Sequence, residues 1–489
     1  MKSVLIANRG EIAVRILKTL HREGLTGVVV YHEADAESLA VKLADKAVEL
    51  HGSPPVSAYL DVEQIIAAAK SSEADAVHPG FGFLAENGDF AQAVIDAGLI
   101  WVGPKPDAIR SMGDKIEAKR LAEEAGVPIL PGSPGALADV DDAVEWAEKI
   151  GYPVLLKASA GGGGKGMRIA HDRAECIDAF TSASNEARAS FGDGRVFVER
   201  FVERPRHIEV QVLADQHGAA VHLGERECSI QRRYQKVVEE APSPVVDEET
   251  RQRIGAQAVS LAQTVGYASA GTVELVMDEQ GEAYFLEMNT RLQVEHPVTE
   301  LVTGIDIVSE QLRIARGEEL GYDQDAISIT GSAIECRVYA ENPDEDFAPE
   351  TGTLHLVHFP SGEGVRVDHG VQSGQVVGAA FDPMIAKVVG FGADRTEAIA
   401  KIRKALRETV LLGLTTNTAY LERIVGHRDF ISGATHTGFL ALYEDELATP
   451  PLEVDEERAL ICAAALASPW FDERHTLSTV HSALGGWRA

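Results

Sequence analysis

Five glycines and two lysines stand together in the segment "LKASAGGGGKGM". Lys157 ends an apolar run that is typical of a β-strand, the glycines occupy positions 161–164 and 166, and Lys165 lies among them. Because glycine has no Cβ, its backbone N–H groups can approach an anion closely. Backbone donors with two ammonium groups nearby predict a phosphate-binding segment.

The segment is not a Walker A loop, which needs G-x-x-x-x-G-K-[ST]. Lys165 is followed by Gly166, and the leading glycine is missing. A flexible surface loop would have a similar composition. On the glycine run alone both interpretations stay open, and the lysine at the strand end favours phosphate binding.

A pair of glutamates on a predicted β-hairpin is a second chemical feature. "TVELVMDEQGEAYFLEMN" reads as two alternating strands, and a two-residue turn at Gln280 and Gly281 places Glu274 directly opposite Glu287. Residues in such a pair lie about 5 Å apart at Cβ and repel unless a cation or a proton lies between them. With Asn289 on the same face, the oxygen ligands suit Mg²⁺. The alternative is that both glutamates face solvent.

The next segment, "NTRLQVEHP", carries an Arg, an amide and a carboxylate at alternate positions. In an extended chain Arg291, Gln293 and Glu295 share one face, and Leu292 and Val294 share the other. Beside a metal pair, these groups would bind a small anion and supply a base. An amphipathic edge strand with a polar outer face is the competing interpretation.

Two further segments add polar and basic groups. "RECSIQRRYQKVVEEAP" contains Gln231 and Lys236, and "IECRVYAEN" contains Arg337. Solvated surface charge is the ordinary explanation for each segment.

The elements that must position these residues begin with a βαβα order. "SVLIA", "GVVVYH", "AVHPG" and "IWVG" are strand-like, and "GEIAVRILKTLHREG", "VEQIIAAAKS" and "FAQAVIDAG" have helical periodicity. This order predicts a parallel sheet with helices on both faces, in a Rossmann-like layout. The first turn, "ANRGEIAVR", has a single glycine and lacks the dinucleotide fingerprint, so a nicotinamide enzyme is disfavoured.

The remainder of the chain is predicted to be a connector, a small unit and a larger α+β region with antiparallel strand pairing. The small unit has helices at 140–150 and 173–189 around the strand "PVLLKAS", with "VFVERFV" as its last strand. In the larger region, helices are expected at 248–265, 306–315 and 396–408.

Composition limits the class of protein. The 489 residues are too many for one compact core, so two to four domains are expected. A net charge of -31 argues against bulk affinity for nucleic acid or anionic membranes, and no apolar run is long enough to span a bilayer. The spacing of the four cysteines fits neither a zinc site nor a disulfide framework, which indicates a reducing, cytoplasmic compartment.

Taken together, the motifs resemble those of biotin carboxylase, an ATP-grasp enzyme that forms the front part of acyl-CoA carboxylase α subunits. The resemblance runs from the first residues to about Tyr443. Its motifs are "ANRGEIAVRI", "HPGFGFLAEN", "MGDKIEAK", "KASAGGGGKGMR", "RHIEVQVLAD", "ERECSIQRRYQKVVEEAPSP" and "FLEMNTRLQVEHPVTE".

The resemblance implies a role for each matching position. Residues that would bind the phosphates of ATP are Lys115, Lys157, Gly163 and Gly164, the glycines in a mobile loop. Residues that would complete the nucleotide site are Glu199, Arg200, Phe201, Val202, His207, Gln231 and Tyr234. Ligands of Mg²⁺ or Mn²⁺, two ions in all, would be Glu274, Glu287 and Asn289. Bicarbonate would be bound by Lys236, Arg291, Gln293 and the backbone of Val294. Glu295 would be the base, and Arg337 would stabilise the biotin enolate.

The resemblance also implies an organisation and partners. The chain would divide into a Rossmann-like N-terminal domain (1–113), a linker with the ATP-grasp lid (114–203), the catalytic C-terminal domain (204–445) and a tail toward a carrier domain (446–489). The partners would be a biotin carboxyl carrier protein or domain and a carboxyltransferase β subunit, with the chain as a homodimer. No Met-Lys-Met biotinylation motif is present, so the carrier is expected on a separate chain or in a segment lost by truncation.

Two positions depart from the common pattern, and two other classes of protein share part of it. Tyr234 stands where histidine or asparagine is frequent, and Phe81 where tyrosine is frequent. Another ATP-grasp ligase, such as a carbamoyl-phosphate or purine-pathway enzyme, would share the lid and the metal carboxylates. A nucleotide-binding module without activity would have no use for Glu295.

Overall fold

A parallel sheet begins the chain in the computed structural model, which describes residues 1–158, 167–451 and 454–467. The five strands have the order β3-β2-β1-β4-β5, and apolar side chains on both faces of the sheet pack against helices. The strands are β1 (Ser3–Ile6), β2 (Thr26–His32), β3 (Lys46–Leu50), β4 (Ala76–His78) and β5 (Ile100–Trp101). The helices of this part and of the connector are α1 (Gly10–Arg22), α2 (Leu39–Leu43), α3 (Val62–Ser71), α4 (Gly88–Asp96), α5 (Pro106–Gly113) and α6 (Lys115–Glu124). The predicted parallel layout is confirmed; strand β3 was not foreseen.

A small antiparallel unit follows, with strand order β7-β6-β8. Its elements are α7 (Val140–Ile150), β6 (Val154–Ala158), β7 (Met167–Ala170), α8 (Arg173–Phe191) and β8 (Val196–Arg200). Val154, Leu156 and Val198 bury one face of the sheet against the two helices. The other face therefore stays available to the rest of the molecule.

An eight-stranded antiparallel sheet forms the larger region, in the order β13-β12-β9-β10-β11-β14-β21-β19. The strands are β9 (Arg206–Ala214), β10 (Ala220–Arg232), β11 (Gln235–Ala241), β12 (Ser269–Met277), β13 (Ala283–Asn289), β14 (Ser332–Tyr339), β19 (Val365–His369) and β21 (Met384–Gly392). Its longer helices are α9 (Glu248–Thr264), α10 (His296–Thr303), α11 (Ile307–Ala315), α12 (Arg395–Glu408) and α13 (Thr418–Gly426).

Short elements complete the description. The strands are β15 (Glu341–Asn342), β16 (Ala348–Pro349), β17 (Gly352–Thr353), β18 (Leu356–His358), β20 (Val376–Val377) and β22 (Val410–Leu412). The helices are α14 (Arg428–Ile431), α15 (Phe439–Leu442) and α16 (Glu444–Leu447). Residues 1–447 form one compact unit; the tail from 448 is a separate unit that contains α17 (Val454–Ala467). In the described part of the chain, no helix is long and apolar enough to span a bilayer.

The large sheet has one apolar and one polar face. On β14, Ile334, Cys336 and Val338 belong to the core shared with α12, and Glu335 and Arg337 alternate with them on the opposite face. Helix α10 packs over that polar face, against β10, β11, β14 and β21. Since both faces are covered, the charged residues of the sheet are buried and must pair with one another.

The hairpin of β12 and β13 has a different turn from the one predicted. Three residues, 279–281, form the loop, and Leu275 pairs with Phe285, one residue out of the expected register. A bulge at Leu286 then shifts the register by one, so that Glu274 nevertheless lies opposite Glu287. The predicted two-residue turn is wrong, whereas the glutamate pairing is confirmed.

The extended conformation predicted for "NTRLQVEHP" is also wrong. Residues 290–295 form an irregular loop that ends in a turn, and helix α10, which was not foreseen, begins at His296. The segment is therefore not an edge strand. Its side chains are brought together by the bend of the loop rather than by strand alternation.

Candidate functional site

A cavity of about 1220 Å³ lies where the three regions of residues 1–447 meet. The carboxyl ends of β1 and β4 contribute Asn8 and Phe81 to its wall, the small unit contributes Lys157, and the large sheet contributes Glu287 and Arg337. Crevices at the carboxyl ends of parallel strands are common ligand sites. Most of the residues predicted to be functional line this cavity.

The glutamate pair on the wall of the cavity carries unequal charges. Burial disfavours an ionised Glu274, but the Lys236 and His207 groups lower the pKa of its carboxyl well below the ordinary value. Burial, and after it the Glu274 carboxylate, raise the pKa of Glu287. Among the described residues, none forms a hydrogen bond or an ion pair with the Glu287 carboxylate. A half-buried carboxylate that lines the cavity beside another carboxylate, and that has no partner among the described residues, has the chemistry of a divalent-cation ligand.

Asn289, the third predicted metal ligand, lies on the same wall but is already engaged. Its Oδ1 accepts a hydrogen bond of 2.8 Å from Arg291. The two glutamates are therefore suited to bind a cation without rearrangement. Asn289 could bind one through its Oδ1, which also accepts the hydrogen bond from Arg291.

Glu295 is the N-cap residue of α10 and is fully buried. Its carboxylate accepts hydrogen bonds from Lys236 Nζ (2.7 Å) and from Arg337 (3.0 Å). Burial opposes the ionised form, but Lys236 and Arg337 lower the pKa of Glu295 well below its ordinary value. Glu295 is thus an ionised carboxylate held between two cations, in a position to accept a proton.

Lys236 is the central cation of the site. Its ammonium group lies 2.5 Å from Glu209, 2.7 Å from Glu274 and 2.7 Å from Glu295. Burial disfavours the charge, but the three carboxylates raise the pKa of Lys236 well above its ordinary value. Lys236 therefore contacts both Glu274, a member of the glutamate pair, and Glu295, the candidate base.

Arg291 and Gln293 approach the same place from the bent loop. Arg291 donates to Gln293 (2.8 Å) and to Glu86 (2.9 Å), and Gln293 donates to Glu274 (3.1 Å). Both side chains thus donate to carboxylates, Arg291 to Glu86 and Gln293 to Glu274. An arginine, a lysine and an amide within one set of contacts are suited to a small planar anion.

The two lysines predicted to bind phosphate, Lys115 and Lys157, also line the cavity. Lys115 begins α6, and Lys157 lies 2.6 Å from the buried Glu199 carboxylate. Burial, and then the Lys115 charge, lower the pKa of Lys157 to about 8, despite the contact with Glu199. Lys119 also contacts Glu199. Glu199 thus serves two lysines, and its neighbours Arg200, Phe201 and Val202 line the cavity.

Three further residues predicted for the nucleotide site also line the cavity, namely His207, Gln231 and Tyr234. His207 lies 3.1 Å from Glu274 and 3.0 Å from the amide nitrogen of Gln231. Tyr234 stands in the turn between β10 and β11 with φ of 67° and is 62% exposed, at the rim of the cavity. Gly163 and Gly164 lie outside the described residues, as does Lys165.

Several residues of the site were missed by sequence reasoning, namely Glu86, Lys119, Glu209, Glu239 and Lys387. Alternation along β9 could have found Glu209, which shares a face with His207. Glu86, Lys119 and Glu239 stand in motifs quoted above, but no spacing or pattern distinguishes them there, and Lys387 lies outside those motifs.

Three family models match the chain. "Biotin carboxylase, N-terminal domain" matches residues 1–109, "Carbamoyl-phosphate synthase L chain, ATP binding domain" matches 114–322, and "Biotin carboxylase C-terminal domain" matches 335–442. Between them, the three models cover most of the chain.

Among curated relatives, a biotin carboxylase of Nostoc sp. is 47% identical over 437 residues, which are 89% of this chain and 98% of the relative. The propionyl-CoA carboxylase α chain of Sus scrofa is 49% identical over 94% of this chain. The chain spans 64% of the length of that α chain.

Two solved structures have the same fold. The biotin carboxylase domain dimer of Hydrogenobacter thermophilus 2-oxoglutarate carboxylase, in complex with MgADP, ADP and bicarbonate, has a TM-score of 0.89 and 44% identity, covering 92% of this chain and 99% of that chain. A biotin carboxylase–nucleotide complex from Campylobacter jejuni has a TM-score of 0.88 and 43% identity, covering 90% and 98%.

Proposed function

The chain belongs to the biotin carboxylase family, and we propose that it carboxylates biotin on a carrier protein with ATP and bicarbonate, as the first half-reaction of an acyl-CoA carboxylase. The observation that carries the proposal is the buried Glu295 carboxylate held between Lys236 and Arg337, two cations that line the same cavity as the glutamate pair. A nucleotide-binding module without chemistry has no use for an ionised buried base.

The first step joins bicarbonate to phosphate. Lys236, Arg291 and Gln293 hold bicarbonate, Glu295 accepts its proton, and a bicarbonate oxygen attacks the γ-phosphorus of ATP so that ADP leaves. Lys115 and Lys157 neutralise charge on the phosphates. A divalent cation held by Glu274 and Glu287, with Asn289, would supply further charge neutralisation.

The second step uses the carboxyphosphate so formed. It breaks down to CO₂ and phosphate inside the cavity, the released phosphate accepts the proton of the ureido nitrogen of biotin, and that nitrogen forms the new bond to CO₂. Arg337 stabilises the enolate of the ureido group as the proton leaves. Water must be excluded because carboxyphosphate hydrolyses readily, and we assign this role to the small unit within segment 114–203, acting as a lid.

The wider organisation follows from the same proposal. Residues 1–113 form the Rossmann-like domain, residues 204–445 the catalytic domain and residues 446–489 the tail. The partners are a biotin carboxyl carrier protein or domain and a carboxyltransferase β subunit, the assembly includes a homodimer, and the compartment is the cytoplasm. Relatives that differ in final acceptor share this front part, so the proposal ends at carboxybiotin.

A carbamoyl-phosphate-type ligase is the competing function, because its ATP-binding model matches residues 114–322. That chemistry does not call for Arg337 beside the base, and biotin carboxylase models match both flanking regions. The observations therefore favour biotin as the acceptor.

The test is an ADP-release assay with ATP, Mg²⁺ and bicarbonate, with and without free biotin, and with radiolabelled bicarbonate to detect carboxybiotin. Biotin should increase ADP formation and yield acid-labile label. Replacing biotin by ammonia provides the control for the competing ligase. Biotin without effect, or carbamoyl phosphate formed from ammonia, would refute the proposal.

A further inference from the structure

Lys387, in the large antiparallel sheet, has a fully buried side chain. It occupies the middle of β21, and its Nζ donates a hydrogen bond of 2.8 Å to the backbone carbonyl of Val294. A lysine is expensive to bury, because its charge loses the stabilisation of water. The Lys387 side chain is therefore held inside by specific partners, and one of them belongs to the loop that carries the base.

The strand register relates this contact to the base itself. Lys387 pairs with Arg337 across β21 and β14, so the two cations stand side by side on the polar face of the sheet. Lys387 binds the carbonyl of Val294, and Arg337 binds the carboxylate of the next residue, Glu295. Two neighbouring strands thus fix two consecutive residues of the loop.

Two carboxylates supply negative charge near the Lys387 ammonium group: Asp368, paired with Lys387 across β19 and β21, and Glu11 of the N-terminal domain. Glu11, on the first turn of α1, lies 3.3 Å from Lys387 Nζ and is itself buried. Burial raises the pKa of Glu11 and Lys387 opposes that rise. Among the described residues, Lys387 is the one ion-pair partner of Glu11. The ammonium group of Lys387, on β21, therefore contacts both helix α1 and the loop of residues 290–295.

We propose that Lys387 is a positioning residue for bicarbonate and for the base, an inference that rests on the proposed function. The peptide group between Val294 and Glu295 is planar and includes the Glu295 Cα. A hydrogen bond to its carbonyl oxygen therefore restrains the position of that Cα as well. The same bond restrains the Val294 backbone and Gln293 before it. Lys387 touches neither nucleotide nor biotin in this scheme; it acts through the loop.

The experiment compares Lys387→Met, Lys387→Arg and the control Lys404→Met in the complete chain. Lys404 is an exposed lysine on α12 with an exposed partner, Glu408. Steady-state kinetics with varied bicarbonate, at saturating ATP and biotin, are combined with MgADP binding. Because a shift of about 1 Å can cost on the order of 10²-fold in rate, Lys387→Met should lower kcat/KM for bicarbonate by about that factor.

Three results would support the inference together. MgADP affinity of Lys387→Met stays at the wild-type value, since the nucleotide lysines lie elsewhere in the cavity. Lys387→Arg, which keeps the charge and a donor, recovers part of the loss. Lys404→Met behaves as wild type.

Other results would overturn it. These are an unchanged kcat/KM for bicarbonate in Lys387→Met, or an equal loss of MgADP affinity, which would indicate general damage. If Lys387→Met does not fold, Glu11→Gln takes its place, because it removes the ion pair between α1 and Lys387 and leaves the ammonium. It should raise KM for bicarbonate with MgADP affinity unchanged, and a wild-type KM would contradict the inference. A wild-type chain without biotin-dependent ADP formation refutes the proposed function instead, and the inference falls with it.

Discussion

The ammonium group of Lys236 lies 2.7 Å from a carboxylate oxygen of Glu295. The contact keeps both groups ionised although both are buried, since the pKa of Glu295 is lowered and that of Lys236 is raised. Because the two cations, Lys236 and Arg337, lower the pKa of Glu295, its carboxylate becomes a stronger base when the charge around it becomes more negative. Binding of an anionic substrate beside Lys236 is such a change.

Glu295→Gln should remove the base and keep the shape of the site. We expect the biotin-dependent rate to fall by about 10²–10⁴-fold, the usual contribution of a general base. MgADP affinity should stay close to that of the wild type, because Glu295 lies beside Lys236 and not beside Lys157. The check is ADP release together with MgADP binding by calorimetry. Carboxylation at the wild-type rate would contradict the assignment.

Glu287→Gln should weaken the binding of Mg²⁺. The loss should be at least about tenfold, a size found when only the outer partners of metal ligands are removed. Without metal, the variant should melt no lower than the wild type, because the substitution relieves repulsion from Glu274. Activity against Mg²⁺ concentration and thermal melting with and without Mg²⁺ measure both effects. Glu282→Gln, at an exposed residue of the same hairpin, is the control, and an identical Mg²⁺ titration for both variants would count against the metal site.

ATP use should depend on pH through Lys157. Its pKa is lowered to about 8, so the ammonium is present below this pH and is lost as the pH rises through it. The value of kcat/KM for ATP reports the free enzyme and should decline above about pH 8. Lys157→Arg keeps its charge at every accessible pH, so the decline should be absent from its profile. The same decline in both profiles would show that another group is responsible.

Arg226 should matter for stability more than any surface arginine. It is fully buried, donates to Gln211 and Thr299 at 2.8 Å each, and pairs with Glu209. Removal of one member of a buried ion pair costs about 3–5 kcal/mol, so Arg226→Met should unfold at a markedly lower urea concentration.

Arg233→Met is the matched control for Arg226→Met. Arg233 pairs with Asp346 at 2.7 Å, but both side chains are exposed, and such a pair contributes at most about 1 kcal/mol. Equal urea midpoints for the two variants would refute the role assigned to the buried arginine.

The glutamate pair illustrates how far local sequence rules reach. Alternation in "TVELVMD" and "AYFLEMN" was enough to predict the hairpin, and Glu274 does lie opposite Glu287. The prediction assumed a two-residue turn, whereas the hairpin has a three-residue loop that moves the strand register by one residue. The bulge at Leu286 moves the register back by one residue, so the glutamates still pair. Turn length and bulges depend on packing against neighbouring strands, which alternation does not encode.

Local sequence rules fail for the charged residues on the strands of the large sheet. Glu209 and Arg337 each stand between apolar residues and Glu239 stands beside another glutamate, and such strand positions by themselves predict a solvated face. Helix α10 covers that face and buries the three side chains, so that they pair with the cations and carboxylates of the site. The cover comes from a distant part of the chain.

The sequence by itself determined the family, the parallel and antiparallel regions with many of their longer elements, and the residue types from which the site is built, because these follow from local motifs and periodicity. Only the tertiary structure decided which charges are buried together, and therefore which are ionised. The burial of Lys387 between Glu11 and Val294 is one such case, since its partners lie 376 and 93 positions away in the chain. Charge pairing depends on distance and on the exclusion of water, and both are set by the folded chain.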